Sequence, residues 1–375
     1  MLEKNNLDSS VKQEIQEKLV CLRKLIEGKN LKALLLKRHV NFSWLTAGGT
    51  NVLCMAQDTG VSSILVTDDR SYVIVSNIEA PRMKEEEKVV AKGFELVEYP
   101  WYEENEMKIV REICGEGSIG CDITFPGTQD LSGEINRCRY QLLGTEKERY
   151  LWLGKEVSWT LEEVLCSLHP GVLESEVAAE IALRLWKKRI EPIGLQVAAD
   201  ERAYQFRHPV AFRNPARRLL LASVMARYGG LVTTVTRMVY FGTPSPEFLK
   251  QYRDNVRIEC EMIALSRPGN KAVLPLQRAV ELYQELGYPE EWKRHHQGGA
   301  MGYLPRDYRV DFECQENILE NQAFCWNPSI AGTKSEDGFI STSHGPLFIT
   351  YPVRFPVFNL EVENLHFERP DLLLL

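Results

Sequence analysis

The stretch LASVMARYGGLVTTVTR, residues 221–237, decides how the chain is read. Two apolar runs, RLLLASVMARY and LVTTVTRMVYFG, flank Gly229-Gly230. A Gly-Gly pair accepts the positive φ values that a tight hairpin turn needs. The pattern predicts an antiparallel hairpin of two long strands. Small hydroxyl side chains interrupt the apolar runs, among them Ser223 and Thr234, 11 positions apart.

Working outward, residues 144–168 read as a long helix stopped by Pro170 and Gly171, and LESEVAAEIALRLWKKRI (173–190) as a second one. After the hairpin come helical patterns at 247–265 and 272–287, then about ninety β-rich residues. Upstream, Val11, Ile15, Leu19, Leu22 and Ile26 recur at helical spacing, so 9–28 reads as an amphipathic helix. KALLLK (32–37), SSILVT (62–67), YVIVS (72–76), ELVEY (95–99) and SIGCD (118–122) read as strands, with helical patterns near 78–90, 104–114 and 129–142. KEEEK (84–88) is a solvated helix face. This alternation predicts an α/β domain over 1–146, followed by a second domain over 147–375.

A net charge of −7 argues against a nucleic-acid surface, which is basic. Nine cysteines without a C-x-x-C pair fit reduced thiols, and the expected location is cytoplasmic. The leading segment MLEKNNLDSSVKQEIQEKL has no apolar leader core, and no run of about 18 apolar residues predicts a membrane span.

Six segments in order carry a resemblance. They are LKALLLKRHVNFSWLTAGG (31–49), HPGVLESEVAAEI (169–181), FRHPVAF (206–212), YGGLVTTVTR (228–237), GGAMGY (298–303) and WNPSIAGTKSEDGFIST (326–342). Together they resemble the creatinase/aminopeptidase P/prolidase family of Xaa-Pro peptidases. The resemblance implies an α+β chain: a pita-bread C-terminal domain preceded by a creatinase-type α/β domain. It also implies a homodimer, with Trp44 and the loop AGGTNVL (47–53) as the place to look for a partner contact.

Active members of that family hold two divalent metals through two Asp, one His and two Glu. Hard cations want anionic oxygens, and a paired site activates a bridging water. Anchored on Thr236-Arg237, the two Asp positions fall here on Ser223 and Thr234, with the family's separation. The His position falls on Gly299 and the first Glu position on Asn327; Glu336 alone survives. One carboxylate does not hold two dications, so the expectation is no metal and no other cofactor. A mononuclear set of His296, Asp307 and Glu336, with His295 adjacent, is the rescue to check.

Creatinase shares the fold, works without metal, and breaks a C–N bond with a histidine and carboxylates. By that resemblance His208 takes the acid/base role and Glu336 its partner, with Arg306 anchoring a substrate carboxylate. Tyr303, Asn327, Thr234 and Ser223 complete the candidate substrate wall, and Cys325 lies two residues before Asn327 on the same expected face. Bland alternatives stand beside each role. His208 is a strand-end histidine, Glu336 pairs with Lys334 or Arg306, Arg306 lies on the surface, and Cys325 is inert. Two readings stay open: a metal-independent hydrolase of a small C–N-bonded substrate, or an inactive relative that binds a ligand, short peptide or protein. A metallopeptidase with an atypical ligand set is a third.

Overall fold

The computed structural model describes residues 9–103 and 105–375; residues 1–8, the head of the segment read as lacking a leader core, lie outside the described residues. The chain divides into two compact units, residues 1–139 with 143–146, and residues 140–142 with 147–375. Among the described residues no helix is long and apolar enough to cross a membrane.

In the first unit, helix Ser9–Gly28 buries Ile15, Leu19, Leu22 and Ile26 as one stripe. The sheet has six strands, ordered Glu95–Tyr99, Ser71–Ser76, Thr59–Val66, Ala33–Arg38, Ile119–Cys121 and Gln129–Asp130. The segment after the Ala33 strand, HVNFSWL, is a short helix whose seven side chains are all buried. Trp44 in that helix is 2% exposed. It belongs to the core of this unit.

The second unit is built on a nine-stranded sheet. Its main path runs Tyr308–Arg309, Gly298–Met301, Gln322–Trp326, Asp337–Ser341, Leu231–Tyr240, Leu219–Tyr228 and Glu191–Ala199. Gly229 and Gly230 turn the hairpin at φ 53° and 81°, the conformation that a two-residue turn requires. The register sets Ser223 opposite Thr236 and Met225 opposite Thr234. Strand side chains alternate between faces, so these four share one face, while Arg237 takes the other.

That other face carries a buried ionic cluster. The Arg237 guanidinium donates to Glu162 at 2.6 Å and to both oxygens of Asp337 at 3.1 Å. Arg369 meets Glu259 at 2.6 Å and Asp337 at 3.0 Å. Glu162 also accepts the backbone N–H groups of Val353, Arg354 and Phe355. The cluster ties the sheet to helices Gly144–Leu165 and Pro246–Leu265. Removing one member of a buried pair strands its partner's charge, at a cost of about 3–5 kcal/mol. Arg237→Met is therefore expected to lower unfolding free energy by about that amount, read as a drop in the urea midpoint. A midpoint unchanged from the parent would show that the cluster does not hold the sheet.

Candidate functional site

On the opposite face, where the Thr236 hydroxyl pairs with Ser223 Oγ at 2.6 Å, Ser223 and Thr234 border a cavity of about 170 Å³. Its wall also includes Gln196, His208, Met225, His296, Pro305, Arg306, Asn327, Lys334 and Glu336. The structure thus brings His208, Ser223, Thr234, Arg306, Asn327 and Glu336 to one place. Tyr303, expected on the wall, is 1% exposed and is not among the lining residues. Cys325 is fully buried behind the wall, 2.7 Å from Thr234 Oγ1, and burial raises its thiol pKa. It is no nucleophile partner for His208. Asp307 is not on the wall either, so the set of His296, Asp307 and Glu336 is not gathered there.

Glu336 and Asp337 are neighbours that face opposite ways, one to the cavity and one to the ionic cluster. Glu336 Oε2 accepts from Lys334 Nζ at 2.8 Å and from Thr236 Oγ1 at 2.7 Å; Oε1 lies 3.6 Å from Arg306. Burial alone would raise its pKa, but Lys334 first and Arg306 next hold the carboxyl down to about 2. The Lys334 ammonium also donates to Ser223 Oγ at 3.2 Å. Glu336 is thus partnered by cations and a hydroxyl. Its expected pairing with His208 does not form.

His208 faces His295 instead, with their Nε2 atoms 3.0 Å apart. Their separation of 87 positions is bridged locally by an ion pair of Arg207 with Glu291, just ahead of His295. Ser329 Oγ lies 3.2 Å from His295 Nδ1. His296 stands beside both, and ligand-capable nitrogens of the three histidines lie within 4.8 Å of one another. Burial lowers all three pKa values, to about 2 for His295 and about 4 for His296; Lys334 adds to the effect on His295 and Arg306 on His296.

The residues do not fit the dinuclear centre that the resemblance implies. Two Asp positions carry neutral hydroxyls, and an ammonium lies between Ser223 and the one surviving carboxylate. The His position cannot accept a side chain. A Cβ on Gly299 would stand 2.2 Å from Tyr308 O and 3.0 Å from Arg309 Cα, both backbone. Gly299 is packed against the next strand, with no room for an imidazole.

Sequence reasoning considered Lys334 only as a possible counterion and missed Gln196 altogether. Gln196 sits opposite Ser223 in strand Glu191–Ala199. Pro192 and Gly194 break the apolar pattern of that strand, and its register shifts between them.

Two outcomes follow. Gly299→Ala should destabilise by about 1–3 kcal/mol through overpacking, read by denaturant unfolding; a neutral result would show that the strands part easily. A carboxyl held below its usual value stabilises the fold above its ordinary pKa of 4.5 and loses that contribution as pH falls towards 2. The stability gap between the parent and Glu336→Gln should therefore be full above pH 4.5 and shrink towards pH 2. A gap independent of pH would contradict the charged pairing.

The family model for metallopeptidase family M24 matches residues 155–349, more than half of the chain. An uncharacterized peptidase of Staphylococcus aureus (strain MW2) is 24% identical over 197 residues, 49% of this chain and 55% of that protein. One from Staphylococcus epidermidis is 23% identical over 192 residues, 49% and 54%. The matches thus span about half the length of these curated relatives. Among solved structures, the Xaa-Pro dipeptidase from Bacillus anthracis superposes with a TM-score of 0.77 at 19% identity, covering 96% of this chain and all of that one. The prolidase from Pyrococcus horikoshii OT3 gives 0.76 at 18% identity, covering 90% and 99%. The N-terminal domain of FACT complex subunit SPT16 from Cicer arietinum gives 0.70 at 12%, covering 93% and 98%. These likenesses extend over both units, and the fold is the α+β pita-bread architecture behind a creatinase-type α/β domain. The chain belongs to metallopeptidase family M24.

Proposed function

We propose that this M24 member works without the family's dinuclear metal centre and that its cavity binds a small zwitterionic or amide-bearing molecule with a free carboxylate. The observation that carries this is a set of buried polar atoms without hydrogen-bond partners on the cavity wall: Arg306 Nε, Gln196 Oε1, Asn327 Oδ1 and His296 Nδ1. Buried polar groups are almost always paired, and an orphan calls for a water, an ion or a ligand. The donor on Arg306 suits a carboxylate. The carbonyl oxygens of Gln196 and Asn327 suit an ammonium or amide N–H. Two cationic side chains, Lys334 and Arg306, against one carboxylate, Glu336, favour a ligand that carries negative charge. A short peptide end or an amino-acid derivative meets these demands, and such molecules are in keeping with the Xaa-Pro dipeptidase and prolidase that share the fold.

The hydrolytic reading keeps one specific support: His208 lines the same cavity as Glu336 and is exposed there. In that reading His208 moves the proton and Glu336 acts through its charge. Glu336, tied to Lys334 and Thr236, does not orient the imidazole, so binding without chemistry is the better-supported role.

Thermal unfolding in the presence of dipeptides and N-acyl amino acids tests the proposal. A true ligand at about a hundred times its dissociation constant adds about 2.7 kcal/mol, and Arg306→Met should remove that gain. If no carboxylate-bearing compound shifts unfolding, or if Arg306→Met leaves the shift intact, the binding reading fails. Turnover of any such compound that is lost in His208→Ala would favour hydrolysis instead.

A further inference from the structure

We propose that His208, His295 and His296 form a mononuclear site for a borderline-soft divalent ion such as zinc or cobalt(II), apart from the family's carboxylate positions. The Nε2 atoms of His208 and His295 are 3.0 Å apart, while two nitrogens on one tetrahedral zinc, at about 2.0–2.1 Å from it, lie about 3.3 Å from each other. Facing imidazole nitrogens share a single proton when no ion is present; an ion between them uses both lone pairs. His296 supplies Nδ1, which is buried and has no hydrogen-bond partner. With one nitrogen of each ring within 4.8 Å of the others, a modest ring rotation closes the set.

The surroundings have the parts of a metal site. Ser329 Oγ holds His295 Nδ1 from behind, and the Ser329 N–H itself donates to Tyr283 Oη at 2.9 Å. Such outer contacts decide which ring nitrogen faces the ion. His208 is exposed, which gives the ion an entry path. Three protein ligands leave a fourth position open, and His208 and His296 place it on the cavity side. Imidazole donors select zinc, cobalt, nickel or copper; magnesium, calcium and manganese prefer oxygen ligands. The three histidines bring no negative charge, and Lys334 and Arg306 share the cavity, so the ion takes an anion in its open position. Hydroxide or the carboxylate of the cavity's own ligand fills that role. The site goes beyond the binding reading and shares with it only His296 Nδ1; Arg306 tests the one and the histidines the other, so the two proposals fail separately.

The test uses the full chain, stripped with chelator and titrated with cobalt(II) chloride in buffer free of carboxylates. One cobalt per chain is expected, with the visible absorption of a four-coordinate ion that zinc then displaces. His208→Ala and His296→Ala, both at less buried positions than His295, should each weaken binding by at least about tenfold, while Asp307→Asn should bind as the parent does. Circular dichroism shows whether each variant is folded. No cobalt spectrum in the parent overturns the proposal, as does undiminished binding by a folded histidine variant. Equal loss in Asp307→Asn overturns the ligand set.

Discussion

Two guanidiniums and three carboxyls, all fully buried, hold the second unit together. Arg237 and Arg369 share Asp337, and Glu162 and Glu259 reach them from two helices. Burial pushes the Glu259 carboxyl up despite Arg369, with Asp337 adding to the rise. A charge in so dry a place is tolerable only while its partners stay put. The consequence reaches the cavity directly. Thr236 and Glu336 are the chain neighbours of Arg237 and Asp337, so fixing one face of the strands fixes the other. The cavity wall inherits its rigidity from an ionic cluster it never touches.

The same electrostatic logic explains Lys334. A carboxylate 4% exposed needs positive charge nearby. In the metal-binding members that the sequence resembles, dications supply it. Here the Lys334 ammonium at 2.8 Å, with Arg306 at 3.6 Å, supplies it from the chain itself. An ammonium is a point charge with donors only, so it satisfies oxygens but activates no water as a Lewis acid would. An internal ammonium thus meets the charge of Glu336 within the same fold, which is what the proposed metal-free reading requires.

Much of this was legible in the sequence because it is periodic. The hairpin at 221–237 and the long helices follow from spacing, while the Ser223, Thr234, Asn327 and Glu336 positions come from the family resemblance. What was not legible lacked a period or depended on distance in space. HVNFSWL forms a helix buried on every side, so it shows no amphipathic stripe. EPIGLQVAA hides its strand behind Pro192 and Gly194, and Gln196 with it. The contact of His208 with His295 joins two irregular segments through the Arg207–Glu291 pair, and no local pattern announces it. The missing room at Gly299 depends on Tyr308 of the adjoining strand and cannot be read from either segment alone.

The cavity's polar lining itself argues for use. A buried ion pair is often matched or bettered in stability by apolar residues of similar volume. If this space served only to fill the sheet, leucines and valines would do it more simply. Instead the wall holds a carboxylate, an ammonium, a guanidinium and two histidines, with four buried atoms left without partners. Each such atom costs about 1–3 kcal/mol. A fold that carries several of them in one small cavity is destabilised there unless something enters and completes the bonds. The proposed ligand would complete those bonds, and the choice of groups is what it would have to match: anionic at one end, able to donate at the other, and small.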